Sequence, residues 1–107
     1  MDFFKLITWN VNSIRIRLEL LKHLCEQENP DIICLQEAWL SSNKSKYMSE
    51  RSLRHTLRDY PYYSSAYAVK DHGSRLIVLS KYPILSTRPI DLHSKFNGGA
   101  VFTILVG

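Results

Sequence analysis

No uninterrupted apolar stretch in the 107 residues approaches the roughly 18 that a membrane helix needs. The opening MDFFKLITWN also lacks a cationic segment ahead of a long apolar run, so an export leader is not expected. These two absences predict a cytoplasmic protein. Cysteine is scarce: Cys25 and Cys34 stand in apolar surroundings and not as a C-x-x-C pair, which predicts buried free thiols in a reducing compartment. Internal repeats and low-complexity tracts are missing, and the length leaves no room for a second core.

What is present is ordinary for a packed globular chain, with 45% hydrophobic and 22% charged residues. The 14 Lys and Arg against 10 Asp and Glu give a net charge of +4, a mild bias toward polyanions. The excess is local: Lys44, Lys46, Arg51, Arg54 and Arg58 face only Glu50 and Asp59 between Ser41 and Tyr60. That segment reads either as a phosphate-tracking surface or as a solvated helix face.

Phe3 to Trp9 reads as a first strand, free of breakers until Asn10. The turn NVNS follows, with Ser13 as the expected helix N-cap. Ile14, Leu18, Leu21 and Cys25, with Leu20 and Leu24 beside them, then form an apolar stripe at helical spacing. Asn29 and Pro30 stop that helix, and DIICLQE has the short, continuously apolar character of a buried strand. The polar, Ser- and Lys-rich run from Ala38 to Lys46 predicts a loop, and SERSLRHTLRDY a short basic helix with Leu53 and Leu57 inward. Four strands are expected beyond it, at 65–69, 76–80, 84–92 and 100–106, separated by DHGS, KYP and HSKFNGG turns. Pro89 makes the third of these an edge or irregular strand. AVFTILVG is strand-like to the last residue, which marks either a final strand or the front part of something longer.

A strand, helix, strand connection is nearly always right-handed and leaves its two strands parallel, with both carboxyl ends on one edge of the sheet. Asn10 and Glu37, 27 positions apart, are therefore expected to meet at one crevice. A carboxylate beside an amide carbonyl suits a hard cation such as Mg²⁺, which takes oxygen ligands and keeps much of its water. The same pattern also fits a turn-forming asparagine and a solvated glutamate.

The 31 residues ITWNVNSIRIRLELLKHLCEQENPDIICLQE add context to that pattern. They resemble the start of the exonuclease III type of apurinic/apyrimidinic endonuclease, within the endonuclease/exonuclease/phosphatase superfamily. The likeness lies in the T-W-N-V-N strand end, the S-I-R-x-R-L helix start and the P-D-I-I-C-L-Q-E second strand. It implies an α/β fold of α+β type, the N-terminal part of a four-layered α/β sandwich in which a βαβ unit is followed by a short helix and a run of strands. Residues 1–107 would form a partial domain, truncated after its first half.

The same resemblance implies Glu37 as a ligand of Mg²⁺, with Mn²⁺ as a substitute. Asn10 would be the active-site amide, and Asn12 the residue shaping the turn and the edge of the site. Arg15, Lys44, Lys46, Arg51, Arg54 and Arg58 become candidate substrate contacts, DNA the expected partner, and a DNA-repair nuclease the expected activity. No obligate protein partner is implied.

The second half, YPYYSSAYAVKDHGSRLIVLSKYPIL, is similar to the superfamily's strand before an L-S-K/R-x-P-I turn. Together with LQEAW it is also similar to neutral sphingomyelinases, which keeps a lipid headgroup as the alternative substrate. Many relatives have glycine where this chain has Arg75. The family's later Asp-x-Asn pair, further aspartate and late histidine have no counterpart here. Asp71, His72, Asp91 and His93 are expected in turns, and His23 and His55 on helices. A non-catalytic remnant, or a fragment dependent on a partner, is the third reading.

Overall fold

The computed structural model describes residues 3–41, 48–67, 75–90 and 99–106. The described elements, in chain order, are β1 (Leu6–Asn10), α1 (Ile14–Glu28), β2 (Ile32–Gln36), β3 (Leu40–Ser41), β4 (Met48–Ser49), α2 (Glu50–Thr56), β5 (Tyr62–Tyr67), β6 (Arg75–Ser80), β7 (Ile84–Ile90) and β8 (Gly99–Ile104). This is a mixed α/β arrangement that opens with the expected βαβ unit. β1 pairs parallel with β2 through Leu6↔Ile32 to Asn10↔Gln36, and the four-stranded sheet runs β1-β2-β6-β5, with β6 antiparallel to both its neighbours.

One face of that sheet carries Ile33, Leu35, Ile77 and Leu79, and α1 and α2 cover it with Ile14, Leu21, Leu53 and Leu57. The helical stripe holds in part. Ile14 and Leu21 are buried and Leu18, Leu24 and Cys25 half-buried, but Leu20 is 61% exposed because it lies on the solvent flank of the stripe. α1 ends as expected: Asn29 takes the left-handed conformation and its N–H returns to the Cys25 carbonyl. α2 starts on Ser49, whose hydroxyl accepts from the Ser52 N–H at 3.1 Å.

Among the described residues the second face is covered on one side only. β7 lies against β5, where the Ser64 and Thr87 hydroxyls are hydrogen-bonded, and Ile32, Val78 and Ser80 are buried there. Ser80 is not left unsatisfied, since its hydroxyl accepts the Tyr82 N–H at 2.9 Å. Toward β1 the face is open, with Leu6 48% exposed and Thr8 and Asn10 exposed beside it.

Several expectations are corrected. Ser13 does not cap α1 with its side chain: it sits at φ 85° and makes no such bond. β5 begins at Tyr62 instead of Ser65, because Tyr62 and Tyr63 pair with Ser80 and Leu79 directly after Pro61. The first strand is displaced along the chain, from 3–9 to Leu6–Asn10. The run read as a loop contributes β3, which pairs parallel with β4. β7 pairs with β8 alone among the described residues, so Pro89 does stand on a peripheral strand. Both cysteines are free but half-buried, not fully buried. The expected turns carrying Asp71, His72, Asp91 and His93 lie outside the described residues, as do Lys44 and Lys46.

Burial raises the pKa of Cys25, Cys34, Tyr60 and Tyr63, because desolvation disfavours the charged form. The native chain thus keeps these protons to higher pH than the unfolded chain does. The stability they contribute is complete below the ordinary values of 9.0 for the thiols and 10.0 for the phenols, and is lost as pH rises through the folded values. The thermal midpoint is expected to fall between about pH 9 and pH 11, on those ordinary values. A pH series of melts checks this, and Tyr60→Phe should flatten the fall.

Candidate active site at the carboxyl edge

The two parallel strand ends are stitched together by backbone. The Val11 N–H donates to the Gln36 carbonyl at 3.0 Å, and the Ser13 N–H to the Glu37 carbonyl at 2.9 Å. On the far side of Glu37, the Ala38 N–H donates to the Arg75 carbonyl at 3.2 Å. Glu37 is thus clamped between β1's turn and β6, one residue beyond the Asn10↔Gln36 pair, and adjacent strands lie about 4.8 Å apart. The expected meeting of Asn10 and Glu37 at one edge is what the backbone builds.

The turn between β1 and α1 explains the asparagines. The Asn12 N–H donates to Asn10 Oδ1 at 3.2 Å, an Asx turn that carries Asn12 to φ 44°. This engages one of the two lone pairs of the Asn10 carbonyl and fixes which end of the amide carries the oxygen, leaving the second lone pair for another donor or a cation. Ser13 loses its capping role for a related reason: its backbone N–H is committed to Glu37, and that geometry holds its φ in the left-handed region.

Glu37 is itself left-handed at φ 52°, as are Asn12 and Ser13. A non-glycine residue held there costs on the order of 1 to 2 kcal/mol. Glu37→Gly is therefore expected to raise the thermal midpoint by several degrees, from about 4–8 °C per kcal/mol in a chain this size, while Glu37→Ala should not. Parallel melts of the two variants measure it.

The Glu37 carboxylate is exposed and has no hydrogen-bond or ion-pair partner among the described residues. No group of three His, Cys, Asp or Glu gathers among those residues. Such a donor set fits Mg²⁺ or Mn²⁺ held by one carboxylate with water filling most of the shell, and does not fit a zinc cage of nitrogen and sulfur.

The cationic candidates separate. Arg15 is exposed on the first turn of α1, which starts at this edge. On α2, Arg51 is exposed, and Arg54 lies 5.1 Å from the Tyr63 ring centre with Glu50 at 3.9 Å. Arg58 donates to the His55 carbonyl at 3.2 Å. Two residues on, the Tyr60 hydroxyl donates to the Pro30 carbonyl at 2.9 Å, which fixes the end of α2 at the amino edge of β2. Arg58 and Glu37 are therefore at opposite ends of a five-residue strand, roughly 17 Å apart along it.

The sequence reading passed over Thr8 and Gln36. Both share the sheet face of Asn10 by strand alternation, and Gln36 Nε2 donates to the Thr8 hydroxyl at 2.9 Å. Period-two parity counted back from Asn10 would have found Thr8. The continuous apolar run of β2 hides Gln36.

Fold and edge together define an α/β protein whose polar groups converge where two parallel strands end, a place suited to phosphate and divalent-cation chemistry. Residues 7–105 match the Endonuclease/Exonuclease/phosphatase family. The chain belongs to that family, whose members are phosphodiester-bond hydrolases. It is 34% identical over 104 residues to an exodeoxyribonuclease of Bacillus subtilis (strain 168), a match covering 94% of this chain and 37% of the relative. In structure it is similar to an endonuclease/exonuclease/phosphatase of Beutenbergia cavernae DSM 12333, with a TM-score of 0.70, 15% identity, and coverage of 94% of this chain and 33% of the other. A Neisseria 3′ phosphatase, NExo (D146N), bound to a product DNA hairpin, superimposes with a TM-score of 0.66 at 19% identity over 95% of this chain and 38% of that one. The chain thus spans little more than a third of the length of these relatives.

Proposed function

We propose that this chain is the cation-holding part of a Mg²⁺-dependent phosphodiester hydrolase that acts on DNA, at abasic sites or 3′ ends. The observation that carries the reading is Glu37, clamped by its backbone at the same carboxyl edge as Asn10, with no partner for its carboxylate among the described residues. Glu37 would hold the cation, which when bound supplies charge neutralisation at a nonbridging phosphate oxygen. The Asn10 NH₂ would donate to the same phosphate, and Arg15 and Arg51 would draw the polyanion toward the edge. DNA as the substrate finds support in the exodeoxyribonuclease likeness and in the DNA-bound relative. The cytoplasm, proposed as the location, agrees with two free thiols.

The remaining groups of the family's chemistry, an Asp-x-Asn pair and a late histidine, are absent from these residues, so the chain alone is expected to hydrolyse little or nothing. The test is a chimera in which this chain replaces the matching segment of the Bacillus subtilis exodeoxyribonuclease. Cleavage of an abasic duplex or release of 3′ nucleotides in Mg²⁺, lost on Glu37→Gln, is the expected result. A folded chimera inert on both DNAs but active on sphingomyelin would move the substrate to a lipid headgroup. Inactivity on all three would leave a non-catalytic remnant.

A further inference from the structure

At the amino edge of β2, the far end of the sheet from Glu37, a cavity of about 390 Å³ lies between the last turns of α1 and α2. Its walls carry charges of both signs. Lys22 and Glu26 come from α1, Asp59 from the chain after α2, and Lys81 from the residue after β6. Lys22 and Glu26 stand four residues apart and so share one face of the helix. Lys22, Glu26 and Asp59 are exposed and make no ion pair or side-chain hydrogen bond among the described residues. Lys81 is held in place: its Nζ donates to Asn29 Oδ1 at 2.6 Å and lies 5.6 Å from the centre of the Tyr60 ring. Tyr60 in turn is buried and anchored by its bond to the Pro30 carbonyl.

Size and charge together restrict the occupant. The volume falls in the range of sites for small organic ligands, so a bare inorganic anion would leave most of it empty. Such an anion would also meet two carboxylates, which the two ammonium groups no more than balance. A molecule with an anionic group at one end and hydrogen-bond donors at the other satisfies both signs. A nucleoside monophosphate is built that way: its phosphate suits lysine, and the exocyclic amine of cytosine donates to a carboxylate. We propose that this cavity is a nucleoside monophosphate site, with Lys22 and Lys81 serving the phosphate and Glu26 and Asp59 a base that bears an exocyclic amine. Cleavage of DNA at 3′ ends releases molecules of this class, so the site would bind product away from the edge where it forms. That link to product rests on the function proposed above, whereas the binding itself does not.

The competing role for the same residues is a solvated gap between two helix ends. The two separate in titrations of this chain with dCMP, dTMP and inorganic phosphate, followed by backbone amide shifts and calorimetry, in EDTA so that no cation at Glu37 takes part. Binding of dCMP should shift amides within 22–29 and 56–60 and at Lys81, and leave Asn10 and Glu37 unmoved. Inorganic phosphate and dTMP should bind at least about 10-fold more weakly, the value of one hydrogen bond to a charged group. Lys22→Met is expected to weaken dCMP binding by about the same factor, and Asp59→Asn with Glu26→Gln to narrow the preference for dCMP over dTMP to less than about 3-fold. Thermal melts check that each variant folds, and Lys22→Met keeps the test open should Lys81→Met, which also loses the Asn29 bond, not fold. Absent dCMP binding, shifts at the carboxyl edge instead, equal affinity for dCMP and inorganic phosphate, or unchanged affinity in folded Lys22→Met each overturns the proposal. Loss of the site in a chain whose chimera still cleaves DNA leaves the proposed reaction standing. Binding of dCMP beside a chimera inert on DNA supports the site and removes only its link to product.

Discussion

Glu37→Gln is expected to lower the affinity of this chain for Mg²⁺ or Mn²⁺ by more than about 100-fold, beyond what loss of an outer-shell partner produces. The substitution preserves size and removes only the charge. It also leaves the backbone clamp intact, because the Ser13 and Arg75 bonds that fix this position are main-chain bonds. A hard cation is held chiefly by anionic oxygen, and no group of three His, Cys, Asp or Glu gathers among the described residues to hold it without Glu37. Isothermal titration of parent and variant, with melts to confirm equal folding, measures the effect. Equal affinity in the two chains would remove Glu37 from the site and with it the proposed chemistry.

Leu79→Ala should have the largest effect on stability. Leu79 is fully buried in the middle of the sheet, paired with Ile33 on β2 and Tyr63 on β5, and packs in the cluster that joins both helices to the strands. Deleting a buried leucine side chain costs about 2 to 5 kcal/mol, against a total of roughly 5 to 15 for an ordinary domain. With one sheet face partly open, this chain is expected at the low end of that range. The variant should be substantially unfolded at 37 °C by circular dichroism and urea titration. Leu20→Ala, on the solvent side of α1, should change stability by less than about 0.5 kcal/mol. Comparable losses from the two would mean that the core is not where the structure puts it.

Much of the βαβ unit was legible because its signals are local. The apolar run of β1, the stripe of α1, the Asn29-Pro30 stop and the apolar run of β2 each declare an element, and chain handedness then brings Asn10 and Glu37 to one edge. α2 was equally plain from Leu53 and Leu57 inward and a serine at its start. The start of β5 was not, since Tyr62 and Tyr63 follow a proline and owe their strand state to pairing with β6, a contact distant in sequence. Ser13 was misread for the same kind of reason. A serine before a helix scores as a cap locally, yet its N–H is taken by Glu37, 24 positions away.

The sequence by itself determined the family, the order of the first elements and the placement of Asn10 and Glu37 at one edge of the sheet, because these follow from motif and periodicity. Only the tertiary structure decided how those groups are presented. The Asx turn engages the Asn10 carbonyl, three main-chain bonds hold Glu37 left-handed with no partner for its carboxylate among the described residues, and strand register sets the Gln36 amide nitrogen against the Thr8 hydroxyl. It likewise carried Arg58 to the far end of the sheet, away from the site that its place in a basic segment suggested. Charge and motif are properties of a string of residues. Which atom of a side chain remains free depends on hydrogen bonds between segments that only folding brings together.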